Sequence, residues 1–186
     1  MKTVVKTIAA SAMIMGFASF ANAAGTNMGN VTFTGTIEDS PCSIAVGDEH
    51  QTVNLGHIGT GSLLKGGQSS AVDFHIKLEN CAFTTEKTMS TTFSAAGNES
   101  TTSAGNIALM GANGEMAGSS IVLATYKGAQ IKLDEADSQP LAVDASGVGL
   151  ADQTLNFKAW VKGDDAATSI DTGEFNSVVN FAVSYL

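Results

Sequence analysis

The chain has 186 residues, enough for one domain with a real core and short for two. Nine basic residues, all Lys, stand against 18 acidic ones, and this balance argues against a nucleic-acid partner, because neutralising phosphates needs clustered Lys and Arg. A hydrophobic content of 44% with 20 Gly excludes wholesale disorder, while two Pro and two Cys exclude a collagen-like chain and a disulfide-dense scaffold.

The chain opens on a pattern of export. Lys2 and Lys6 precede a mostly apolar run from Ile8 to Ala18, and Ala21-Asn22-Ala23 follows as the small-x-small sequence that signal peptidase accepts. The rival reading is a membrane anchor, but the run is short of the ~20 apolar residues that a spanning helix needs. A signal peptide over residues 1–23 is therefore expected. Its removal leaves 163 residues, with 7 Lys against 18 acidic groups and a net charge of -11. In an oxidising compartment Cys42 and Cys81 most simply form one structural disulfide. Neither has a partner at metal-ligand spacing.

Past the signal the periodicity is two. Asn27 to Gly35 puts Gly29, Val31, Phe33 and Gly35 on one face, ahead of the first turn at Asp39-Ser40-Pro41. Short strands are expected over Val31 to Ile37, Cys42 to Val46 and Thr52 to Ile58. Val72 to Glu79 alternates without a break: Val72, Phe74, Ile76 and Leu78 against Asp73, His75, Lys77 and Glu79. Further strands are expected over Met89 to Ala95, Ile121 to Tyr126 and Gln130 to Leu133. Leu155, Phe157, Ala159 and Val161 alternate with Asn156, Lys158, Trp160 and Lys162. At the end Phe175, Val179, Phe181, Val183 and Tyr185 share one parity, with Ser177 as the gap. Gly-rich turns separate these runs, and no segment carries an amphipathic helix of twelve or more residues. Such a series predicts one all-β domain, a sandwich or barrel. Strands at both ends of the mature chain raise the question of unpaired edges, which are templates for another chain.

Enzyme chemistry has little support. His50, His57 and His75 are scattered, Asp134, Glu135 and Asp137 lack the spacing of a calcium loop, and no nucleophile elbow, phosphate loop or zinc motif occurs. No catalytic residue, metal or cofactor is expected.

Specific stretches resemble the chaperone–usher pilins, the major subunits of type 1 and P fimbriae most closely. They are Phe33-Thr34-Gly35-Thr36-Ile37, Asp39-Ser40-Pro41-Cys42-Ser43-Ile44, Thr52-Val53-Asn54-Leu55-Gly56, Ile76-Lys77-Leu78-Glu79-Asn80-Cys81, Gly173-Glu174-Phe175 and Asn180-Phe181-Ala182-Val183-Ser184-Tyr185. That family carries a glycine fourteenth from the end and a penultimate tyrosine, the places of Gly173 and Tyr185. The resemblance covers about Val31 to Leu186 and is weakest from about Ser90 to Asp152.

The resemblance implies an incomplete immunoglobulin-like sandwich, completed by a donor strand from a neighbouring subunit. It implies a donor extension over residues 24–35, with Gly29, Val31, Phe33 and Gly35 facing the acceptor, and a pilin domain over 36–186. It further implies a groove or chaperone-contacting strand at Gly173, Phe175, Val179, Phe181, Val183 and Tyr185. From the residues alone, Val31 and Phe33 read as core of an ordinary first strand, and Gly173 as a plain turn glycine. The implied partners are identical subunits in a helical filament, a periplasmic pilus chaperone, an outer-membrane usher and minor pilins. The implied destination is the cell surface, by way of the periplasm. The alternative is a minor adaptor or a glycan-binding adhesin subunit, although 163 residues leave no room for the extra lectin domain of the family's tip adhesins.

Overall fold

A computed structural model describes residues 29–95 and 97–186. The expected signal peptide and the start of the expected donor segment, Asn27 and Met28, lie outside the described residues. The chain divides into two units, Met1–Ile37 and Glu38–Leu186.

In the first unit the described residues 29–37 are exposed and form no strand. The strand expected over Val31 to Ile37 is thus absent. Its alternation is present, but a strand needs a ladder partner to satisfy its backbone, and this segment has none among the described residues. Val31 is 76% exposed and Phe33 90%.

Among its described residues the second unit has nine strands: β1 (Ser43–Ile44), β2 (Val72–Glu79), β3 (Thr88–Ser94), β4 (Ile107–Gly111), β5 (Gly114–Thr125), β6 (Gln130–Ile131), β7 (Ala136–Pro140), β8 (Gln153–Gly163) and β9 (Asn180–Tyr185). One sheet has the order β1-β2-β8-β5-β4, with β6 paired to β5. The other has the order β7-β3-β9. All pairings are antiparallel. Among the described residues the only helical elements are two 3-10 turns, Thr60–Ser62 and Leu64–Gly66. No helix there is long and apolar enough to cross a membrane.

The two longest alternations read in sequence become one wall of the core. Ile76 and Leu78 of β2 and Leu155, Phe157, Ala159 and Val161 of β8 are buried, while Asp73, His75 and Lys77 face out. Register places Phe74 opposite Phe157 and Ile76 opposite Leu155. From the second sheet Phe93 closes an aromatic cluster, with ring centroids 5.1 Å from Phe157 and 6.3 Å from Phe74. Edge-to-face rings of this kind add to plain area burial.

Several expected strands change length. Cys42 to Val46 contracts to two residues, and Gln130 to Leu133 likewise. Thr52 to Ile58 is not a strand, although Val53, Leu55 and Ile58 keep a half-buried face. Ile121 to Tyr126 grows into a twelve-residue strand that starts at the Ala112-Asn113 turn, where Gly114 has a φ of +107°, a conformation L side chains rarely adopt. Two strands have no counterpart in the sequence reading. The buried run Ile107-Ala108-Leu109 has no alternation to read. In β7, Ala-Asp-Ser-Gln-Pro has no large apolar residue to alternate, and its Pro is tolerated because the strand lies at a sheet edge.

Cys42 and Cys81 form a disulfide, with Cα atoms 4.1 Å apart, joining the start of β1 to the end of β2. Hydrogen bonds order the loop end of the domain. Glu115 accepts from the Ser100 hydroxyl and from the Thr101 amide and hydroxyl. Desolvation works against its charge, yet these donors hold the carboxyl below its ordinary value.

Candidate functional site

The second sheet ends on β9, and β9 has a ladder on one side only. Its register with β3 pairs Phe181 with Phe93, Val183 with Thr91 and Tyr185 with Met89. These three β9 side chains therefore share the inward parity of fully buried β3 residues, yet they remain half-buried. Phe175 and Val179 continue the same half-buried parity. In a completed sandwich, residues on this parity would be covered from the flank as well as from the opposite sheet.

The strand expected from Phe175 onward begins at Asn180, and the reason lies in its start. The Asn176 amide donates to the Met110 carbonyl, and the Ser177 hydroxyl donates to Ala108 O at 2.6 Å and accepts from the Met110 amide. The Asn98 side chain donates to Val178 O. Ser177, the polar gap in the sequence pattern, is thus the residue that ties this stretch to β4. All these bonds lie on the flank that β3 then continues. Among the described residues, no ladder covers the other flank from 175 to 185.

The other sheet also has an unfinished edge. Beside β2, strand β1 pairs only at Glu79 and Leu78. Further along, single contacts replace a ladder: Ala45 N donates to Lys77 O, Asp48 Oδ2 accepts from Lys77 N, and Gln51 Nε2 donates to His75 O. Ile44, Leu55, Ile58 and Phe74 are half-buried there and pack against the core. Phe74 packs against Phe93, the cross-strand partner of Phe181, so the half-buried residues of β2 and of β9 flank the same part of the core and outline a candidate cleft. The sequence reading did not single out Ile44, Leu55, Ile58 and Phe74 as lining a candidate cleft. Their only signal was the alternation that made them look like ordinary core.

At one end of the cleft Tyr185 lies beside Phe83, with ring centroids 6.1 Å apart. Burial pushes its phenol above the ordinary value and Glu38 adds to the rise, while a hydrogen bond with Ser40 opposes it. Gly173 stands apart from the cleft residues: it is exposed, with a φ of +149° and open space where a Cβ would be. Gly29 and Gly35 likewise have nothing within 4 Å of a Cβ. Among the described residues, no three His, Cys, Asp or Glu side chains are grouped to hold a metal.

An unpaired β edge above a half-covered apolar face takes an extended segment as a further strand: its main chain supplies ladder bonds and its alternate side chains fill the cleft.

The family described as "Fimbrial protein" matches residues 31–186. The Fimbria A protein of Serratia marcescens is 38% identical over 180 residues, covering 97% of each chain. The subunit of a chaperone–usher pilus, from a structure that addresses rod uncoiling, superimposes with a TM-score of 0.69 at 25% identity, covering 87% of this chain and 98% of that one. The P pilus rod subunit PapA shares the fold with a TM-score of 0.63 at 23% identity, over 79% of this chain and all of that one.

Proposed function

Because the chain belongs to the fimbrial protein family, we propose that it polymerises by donating its N-terminal extension, residues 24–35, into the cleft of the next copy. It is a structural pilin of the extracellular fimbrium, and its fold is the incomplete immunoglobulin-like sandwich of that class. The observation that carries the exchange reading is the run 175–185, bonded along one flank and half-covered on its inward parity, in a chain that also holds Val31 and Phe33 exposed.

The dimensions support this reading. Nine residues from Asn27 to Gly35 span on the order of 30 Å at ~3.3 Å per residue, and the eleven of 175–185 about 36 Å. Val31 and Phe33 enter the cleft, each contributing roughly 1.5–3 kcal/mol of burial. Gly29 and Gly35 meet it where a side chain does not fit. Phe175, Val179, Phe181, Val183 and Tyr185 form one wall of the cleft, with Gly173 at the turn that leads into them. The interface joins two different surfaces and does not close on itself, so it produces a filament.

A subunit with an open cleft needs cover before assembly. The natural sequence of events is export to the periplasm with loss of residues 1–23, transient filling of the cleft by a periplasmic pilus chaperone, delivery to an outer-membrane usher, and replacement of the chaperone strand by the next subunit's extension. Minor pilins would join through the same cleft and extension.

Removing Ala24 to Thr34 separates the two roles. The shortened chain is expected to accept a neighbour's extension but to donate none, so that mixing it with intact subunits shortens fibres in proportion to its share. Fibres of normal length grown from the shortened chain alone would refute donation.

A further inference from the structure

A second surface lies at the end of the domain where the extension emerges. The chain between Ala142 and Leu150 folds into a hairpin closed by the Leu150 N to Ala142 O bond and the Val143–Gly149 bridge. It exposes Val143 (50%), Val148 (58%) and Leu150 (42%). Its single charged residue, Asp144, accepts from the amides of Ser146 and Val148 and so is committed inside the turn.

The hairpin is held firmly. Gln153, only 2% exposed, works as a substitute peptide group at its base: Oε1 accepts from Ala142 N, and Nε2 donates to the Ala142 and Leu150 carbonyls. Phe83 lies so close to Gly149 that an added Cβ would meet its ring at 2.5 Å. A firmly held hairpin with exposed apolar residues along its stem, in a strongly acidic chain, is the composition of a contact surface rather than of a solvated turn.

Its place decides the partner. Cys81 N donates to Ala151 O, and Ala82 N donates to Pro41 O, so the hairpin stem, the disulfide and the root of the extension adjoin one another. Phe83 also stacks on Tyr185 at the end of the cleft. Only six residues, Thr36 to Pro41, separate the last donor glycine from Cys42, a reach of about 25 Å at most. Any copy that receives the extension must therefore abut this end of the donor's domain.

We propose that the 142–150 hairpin is a second contact with the acceptor copy, seated beside the exchanged strand and restraining the hinge between successive subunits. The proposal rests on the exchange reading, and the test separates the two. In a Val148→Cys subunit the new thiol is labelled by a maleimide in two states: the chain holding a synthetic 27–37 peptide in its cleft, and assembled fibres. Labelling is expected to slow at least tenfold in fibres only. A Val143→Lys/Val148→Lys subunit, altered only at exposed positions, should bind the peptide within twofold of the unaltered chain but give visibly more flexible fibres by electron microscopy. Equal labelling rates in both states, or fibres of unchanged stiffness from the double variant, would overturn the hairpin contact alone. Failure of the unaltered chain to take the peptide would overturn the exchange reading, and this proposal with it.

Discussion

Phe33→Asp is expected to leave the isolated subunit as stable as before and to weaken its incorporation into fibres by at least about 100-fold. Phe33 is 90% exposed in the described chain, so its removal costs no packing there, and surface changes of this type shift stability by no more than about 0.5 kcal/mol. In the exchanged state the same ring is buried in a neighbour. Losing roughly 1.5–3 kcal/mol of burial is already about a 10- to 150-fold loss of affinity, and a carboxylate placed in an apolar cleft adds its own desolvation cost. The check pairs thermal unfolding of the monomer with the critical concentration for fibre growth. If Phe33 were instead the core of an ordinary first strand, the monomer would lose several kcal/mol and both readings would fall together.

The second large effect is on stability. Replacing Cys42 and Cys81 together by Ala should destabilise the domain by about 4 kcal/mol, the chain-entropy value for a loop of this size. Single domains are stable by about 5–15 kcal/mol. This one lacks a strand's worth of burial before assembly, so the loss falls on a thin margin. The bridge also ties β1, only two residues long, to the end of β2, and β1 has no other ladder to hold it. The expected result is a lower urea midpoint, with the largest increase in local opening at the β1 side of the cleft. A midpoint within 0.5 M of the parent would mean that the bridge constrains little.

The parts of the fold that could be read from sequence are those where one face meets the core and the other meets water. The alternation of Val72 to Glu79 and of Leu155 to Lys162 became β2 and β8 with the expected faces inward, because burial on one side writes period two into the residues. The alternation in 31–37 was as clear but formed no strand, since pattern records which face seeks cover, not whether a partner is present in the same chain. Ile107 to Gly111 left no pattern because three successive residues are buried, and Ala136 to Pro140 left none because a polar edge strand buries little. The proposed cleft is half legible in the sequence. Phe181, Val183 and Tyr185 could be named from parity and resemblance, whereas Ile44, Leu55, Ile58 and Phe74 on the opposite lip depend on which strand lies at the edge of which sheet. That is a property of topology and has no local signature.

Amide hydrogen exchange over residues 175–185 tests the missing strand most directly. In the isolated subunit the amides of this run that point away from β3 and β4 should exchange far faster than those of β8, which is paired on both sides. Adding a peptide of residues 27–37 should slow them by about 100-fold or more as a new ladder forms. Protection equal to that of β8 before any peptide is added, or no change when it is present in excess, would contradict an open cleft.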